Sequence, residues 1–253
     1  MSHDCDRRAL LTGALLLTPG LAHADPLGDI FGSVLGKGQS GSAGIGGLFG
    51  GGFTNADADS ALRQALTIGA GNVVSRLSSF DGYFADPKVH IALPKSLQQV
   101  QSGLKAVGYS KPLDDLELKI NRGAETAAPQ AKALFVNAIK SMSIQDAVGI
   151  VKGGETAGTE FLKGKTLSSL TSTFTPPMNT ALSSVGALKA ADKVTKETAK
   201  YGYRRDLRGE LTSYAVGAAL NGMFLYLGEE EKAIREDPAK RTTVILKKVF
   251  GAV

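Results

Sequence analysis

The feature that most constrains this chain is an apolar file at helical spacing across residues 113–142. Leu113, Leu116, Ile120, Ala124, Ala127, Ala131, Leu134, Ala138 and Met142 follow one another at steps of three or four. That spacing puts them on one face of a helix, and the face must be covered by other elements. Glu117, Asn121 and Glu125 repeat at i, i+4 and form a polar file beside it. Pro129 has no N–H and its ring strikes the preceding turn, so the stretch is expected as one bent helix or as two helices end to end.

Similar signals recur on both sides. Thr54, Asn55 and Asp57 supply cap chemistry for a helix reaching Leu77. Asp81-Gly82 and Asp86-Pro87 mark turns, after which Val89, Ile91 and Leu93 alternate with Lys88, His90 and Ala92. This predicts a short extended segment near residues 88–93, with His90 on its exposed side. Pro94 opens a helix ending at Gly108, and Ser143 with Asp146 begins another that stops at Gly153 and Gly154. The following helix is expected to stop at Pro176 and Pro177, and a further one to reach toward Tyr201. Residues 212–228 carry no charge, yet the run is too short and too rich in Gly to cross a membrane, so it reads as a buried helix that Glu229, Glu230 and Glu231 return to water. Asp237 and Pro238 are expected to start the last helix, stopped by Gly251. The fold class is therefore mainly α, a multi-helix bundle-like single domain over residues 54–253.

The first 53 residues read differently. Arg7 and Arg8 precede an uncharged run ending at Leu21, and Ala22, His23 and Ala24 form a small-x-small cleavage site. Residues 1–24 are expected to be a cleaved export signal, of twin-arginine or general secretory type, with cleavage after Ala24 and a periplasmic destination. Cys5 would leave with it, so the mature chain would hold neither a disulfide nor a cysteine nucleophile. Two basic and two acidic side chains leave together, keeping the net charge at +5. Residues 25–53 are rich in Gly and Ser and read as a flexible linker. Gly36, Gly38 and Gly41 match G-x-G-x-x-G only through local glycine content, without the strand and helix a dinucleotide site needs.

Chemical signatures are sparse. No H-E-x-x-H, G-x-S-x-G or phosphate loop is present, and His90, alone in the expected mature chain, cannot build a histidine metal cage. Asn55, Asp57 and Asp59 match the first positions of a calcium loop, but Ser60 and Leu66 replace the Gly and Glu it needs, which leaves capping as their role. No cofactor motif occurs. The basic residues are spread out and not interleaved with aromatics, and Trp is absent, which argues against nucleic-acid binding.

Three ordered blocks, DGYFADPKVHIALPKSL, NRGAETAAPQAKALFVNAIKSMSIQDA and EEEKAIREDPAKRTTVILKKVFG, resemble the bacterial domain of unknown function 4197 family of exported proteins. The resemblance runs from about Asn55 to Gly251. It implies an envelope location and a mainly helical domain, and it carries over no reaction and no site residue. Two functions fit the residues. The first is a periplasmic binding or scaffold protein holding an apolar small molecule or an envelope partner. The second is a carboxylate-dependent hydrolase or lyase built on Glu117, Asn121, Glu125, Arg122, Glu155 and Glu160. Glu117, Asn121 and Glu125 are the candidate binding residues, and no catalytic or metal-binding residue is assigned.

Overall fold

In the computed structural model, which describes residues 54–251 except 203 and 204, the stretch 113–142 is helical and broken at Pro129. The helices of the described region are α1 (Asn55–Ser78), α2 (Lys95–Ala106), α3 (Lys111–Ala127), α4 (Ala131–Lys140), α5 (Ile144–Val151), α6 (Ala157–Ser184), α7 (Ala187–Ala199), α8 (Leu207–Glu236) and α9 (Val244–Phe250). A 3-10 turn, Ala128–Gln130, joins α3 to α4. The domain is mainly α and bundle-like, without a strand among the described residues. The expected export signal and linker lie outside the described residues.

The long helices α6 and α8 pack on each other, and α3 and α4 cover another side of α6. Helix α1 lies against α4, α5, α8 and α9. Helices α3 and α6 approach closely at Gly123, where an added Cβ would lie 2.9 Å from that of Ala181. Before the 3-10 turn the apolar file is buried at Leu116, Ile120, Ala124 and Ala127, with Asn121, Gly123 and Glu125 buried beside it. Beyond it Ala131, Ala138 and Met142 of the file stay buried, but the face widens toward Phe135, which is fully buried, whereas Leu134 is only partly covered. A 3-10 turn winds about 20° more per residue than an α-helix, so three residues rotate the face by roughly 60°. Leu134 therefore does not hold the core position that uninterrupted spacing assigns it.

Local signals set most of the ends. Thr54 with Asp57 and Ser143 with Asp146 form complete capping boxes on α1 and α5. Gly108, at φ +79°, closes α2, with the Tyr109 N–H donating to the Leu104 carbonyl and the Gly108 N–H to that of Lys105.

Two ends differ from the sequence expectation. Pro176 and Pro177 do not stop their helix, since α6 continues through them to Ser184. Each proline costs about 3 kcal/mol in a helix interior. Opposing this, Leu162, Thr166, Leu170, Phe174, Met178 and Leu182 form one unbroken buried ladder. Of the two carbonyls deprived of their donors, that of Ser172 belongs to an exposed residue and that of Thr173 to a partly exposed one, on the side of the helix that solvent reaches. The final helix is likewise not continuous from Pro238. A 3-10 turn, Pro238–Lys240, comes first, and α9 starts afresh at Val244 with Thr243 as its cap.

The uncharged run 212–228 lies inside α8, with Ala215, Ala219 and Met223 fully buried. Among the described residues no single helix is long and apolar enough to cross a membrane.

Candidate functional site

The polar file of α3 faces the strap that connects α1 to α2. Val89, Ile91 and Leu93 of this strap are buried and Lys88 is exposed, as the alternation requires. No strand pairs with it; a side-chain amide takes that place. Asn121, fully buried, accepts from the Ile91 N–H at 2.9 Å and donates to the Ile91 carbonyl at 2.9 Å. Its second N–H reaches the Glu117 carbonyl at 2.9 Å. The Asn amide thus presents the donor and acceptor that a neighbouring strand would offer.

One turn away on each side, Glu117 and Glu125 hold other parts of the strap. Glu117 lies 2.6 Å from His90 Nε2 and accepts from Gln101 Nε2 at 2.8 Å. The other ring nitrogen of His90 is 2.7 Å from the Phe84 carbonyl, so His90 is a half-buried bridge and not the exposed side chain its position in the alternation suggested. Glu125 accepts from the N–H groups of Tyr83 and Phe84 at 3.1 and 3.2 Å. Its other oxygen pairs with Arg122 at 2.6 Å, and Arg122 reaches Asp81 at 2.6 Å. Asp81 adopts φ 65°, a left-handed conformation that Asp tolerates, and so turns the strap toward Arg122. Burial, with the Glu125 charge nearby, pushes the Tyr83 hydroxyl far above its ordinary range, and it donates to the Ala219 carbonyl at 2.9 Å.

The other carboxylates named with this file are elsewhere. Glu155 is exposed and pairs with Lys232 of α8 at 2.8 Å, and Glu160 is exposed in the first turn of α6. The strap also makes a second polar contact with α8. Burial works against ionisation of Asp86, but hydrogen bonds from Tyr226, the Lys88 N–H and Arg76 outweigh it and hold the carboxyl below its ordinary value. Tyr226, desolvated and hydrogen-bonded to Asp86 at 2.5 Å, is pushed up to about 12.

An opening close to this clamp is apolar. A groove of about 720 Å³ runs between the start of α3, the face of α7 and the start of α8. Leu97, Leu113, Leu116, Val194, Leu207 and Leu211 supply much of its lining. Its one acid is Glu210, which pairs with Arg205, also a lining residue, at 2.6 Å. None of Glu117, Asn121 and Glu125 lines it. Its volume falls in the range of small-molecule sites, and an aliphatic lining with few polar groups favours an apolar occupant. Among the described residues no group of three or more His, Cys, Asp or Glu side chains is placed to hold a metal ion.

The model of a family described as a protein of unknown function, DUF4197, matches residues 52–251. The chain belongs to this family. No curated protein and no solved structure matches it.

In this DUF4197 protein a further residue that its sequence pattern misplaces is Glu231. It does not return α8 to water. It is buried, and its carboxylate accepts from the N–H groups of Gly158 and Thr159 at 2.9 and 2.7 Å and from the Thr159 hydroxyl at 2.9 Å. Arg235, one turn on, donates to Glu231 at 2.9 Å and to the Ile150 and Val151 carbonyls at 2.8 and 3.1 Å. The pair thus caps the start of α6 and the end of α5 from a third helix, each charge at the helix pole it favours. A signal was present: Leu220, Phe224 and Leu227 lie at steps of three and four, and Glu231 is the next position in that phase.

The groove was also hidden by the pattern. Leu113 and Leu116 read as ordinary core, and α7 read only as a further helix reaching toward Tyr201. Its Ala187, Ala190, Ala191 and Val194 recur on one face that meets only part of a partner.

Proposed function

We propose that this protein is an exported, periplasmic binding protein that shelters an apolar molecule in the groove between α3, α7 and α8. The observation that carries the proposal is the groove itself, about 720 Å³ with a largely aliphatic lining. Lone exposed apolar residues need no explanation, but a continuous concave apolar surface invites a ligand. A catalytic reading on Glu117, Asn121 and Glu125 gains no comparable support, because the hydrogen-bonding groups of this file are directed at the strap.

The test is purification of the full chain from the cell envelope under native conditions, followed by mass spectrometry of the organic extract. A defined apolar compound should accompany the wild-type protein near one per chain and should be depleted from Ala190→Trp, whose indole fills the groove. N-terminal sequencing of the same sample should begin at Asp25. An extract free of any such compound, together with failure to bind the neutral probe N-phenyl-1-naphthylamine, would overturn the binding function.

A further inference from the structure

We infer that the groove selects an amphiphile with a hydrocarbon tail and an anionic head group, which Arg205 holds at the mouth. This inference rests on the groove being a binding site and specifies what it takes.

The lining fixes the chemistry of the tail. Leu97, Leu113, Leu116, Leu207 and Leu211 present branched aliphatic surface, whereas Tyr214 is the one aromatic side chain among the lining residues. Tyr214 already donates its hydroxyl to the Ala92 carbonyl at 2.8 Å, so it offers the ligand its ring and no free hydrogen. With few polar groups along the walls, a chain bearing internal polar groups would have to bury them unpaired. A hydrocarbon chain carries no such penalty.

The mouth fixes the chemistry of the head. Arg205 and Glu210 are the charged side chains among the lining residues, and they pair with each other. Both are well exposed, at 69% and 46% of the side chain, so the pair contributes little and exchanges partners readily. Arg205 already grips a carboxylate in a two-point arrangement, Nε at 3.1 Å and Nη2 at 2.6 Å from the two oxygens of Glu210. A ligand carboxylate or phosphate can take over that geometry. The surrounding charge acts in the same sense. Among the charged residues next in sequence to a lining residue, the acids Asp114, Asp115, Glu117 and Asp192 each face a basic partner, whereas three exposed lysines, Lys95, Lys189 and Lys193, and one exposed acid, Asp206, stand outside the ion pairs of the described residues. That excess of lysines favours an anionic head over a cationic one.

The experiment uses the full mature chain and displacement of N-phenyl-1-naphthylamine by four twelve-carbon probes: dodecanoate, dodecyl phosphate, dodecanol and dodecyltrimethylammonium. Both anions should bind about fivefold or more tightly than dodecanol, and the cation no better than dodecanol. Comparing the two anions distinguishes a carboxylate head from a phosphate head. Arg205→Gln should erase the preference for anions, bringing both down to the affinity the same variant shows for dodecanol. Glu210→Gln, which frees Arg205, should strengthen anion binding. Equal affinities for dodecanoate, dodecyl phosphate and dodecanol, or an unchanged preference in Arg205→Gln, would overturn the anionic assignment and leave the groove standing as an apolar site. Failure of all four probes and of the fluorophore would overturn the groove reading and this inference together.

Discussion

Asn121 separates a structural clamp from a ligand site, and its replacement can be worked through in numbers. The side chain is fully buried and makes three hydrogen bonds of 2.9 Å, two of them to the backbone of Ile91. Asn121→Ala leaves the Ile91 N–H and carbonyl without partners in a site closed to water. Each orphaned group costs about 1–3 kcal/mol, so a total near 3 kcal/mol is expected. For a domain of this size that corresponds to a fall in Tm of roughly 6–12 °C. Asn121→Asp has nearly the same shape but two fewer N–H donors, and it directs a carboxylate at two carbonyl oxygens with Glu117 and Glu125 one turn away on either side. It should cost more than Asn121→Ala at neutral pH and regain part of the loss in acid, as the introduced carboxyl takes up a proton and becomes a donor. Urea unfolding at unchanged m value measures both, and amide exchange should show Tyr83, Phe84 and Ile91 losing protection first. A loss below about 1 kcal/mol for Asn121→Ala, or a milder effect of Asp than of Ala, would refute the clamp.

Three further predictions concern the rest of the fold. Glu231→Ala removes a buried carboxylate that caps α6 and pairs with Arg235, and should cost about 3–5 kcal/mol in urea unfolding, with Glu231→Gln costing less; equal losses for the two would show that the charge is irrelevant. Pro176→Ala restores an N–H on the exposed side of α6 and should stabilise by about 1–2 kcal/mol after the lost rigidity of the unfolded chain is counted, so a lower Cm would show that the prolines favour the native state. Hydrogen bonds from Lys248 and from Thr54 hold the Asp57 carboxyl at about 2 in the folded chain against an ordinary 3.8. Its contribution is therefore complete above the unfolded value and is lost as pH falls toward 2, so the stability gap between wild type and Asp57→Asn should narrow over that interval and be flat from pH 5 to 7. A gap that widened in acid would contradict this.

The sequence by itself determined the helical class and most of the local boundaries. Capping boxes at Thr54 and Ser143 and the glycine stop at Gly108 act through atoms within a few residues, so their outcome is written in adjacent letters. The same holds for the Val89, Ile91 and Leu93 alternation. The sequence also placed Glu117, Asn121 and Glu125 on one file, because i, i+4 spacing needs nothing beyond the helix.

Tertiary structure decided what those elements meet. That the file grips a strap was set by partners such as Ile91, 30 positions from Asn121. Whether prolines break a helix depended on the buried ladder from Leu162 to Leu182, whose burial against neighbouring helices outweighs two missing hydrogen bonds. Glu231 could be read as solvent-seeking because charge favours water, until the start of α6, 72 to 73 positions away, offered it three donors. The groove exists because α3, α7 and α8 meet without closing on one another. Local rules act over one or two turns, whereas desolvation and packing depend on which distant surfaces arrive, and that decided the burial of Glu231, the continuity of α6 and the opening beside α7.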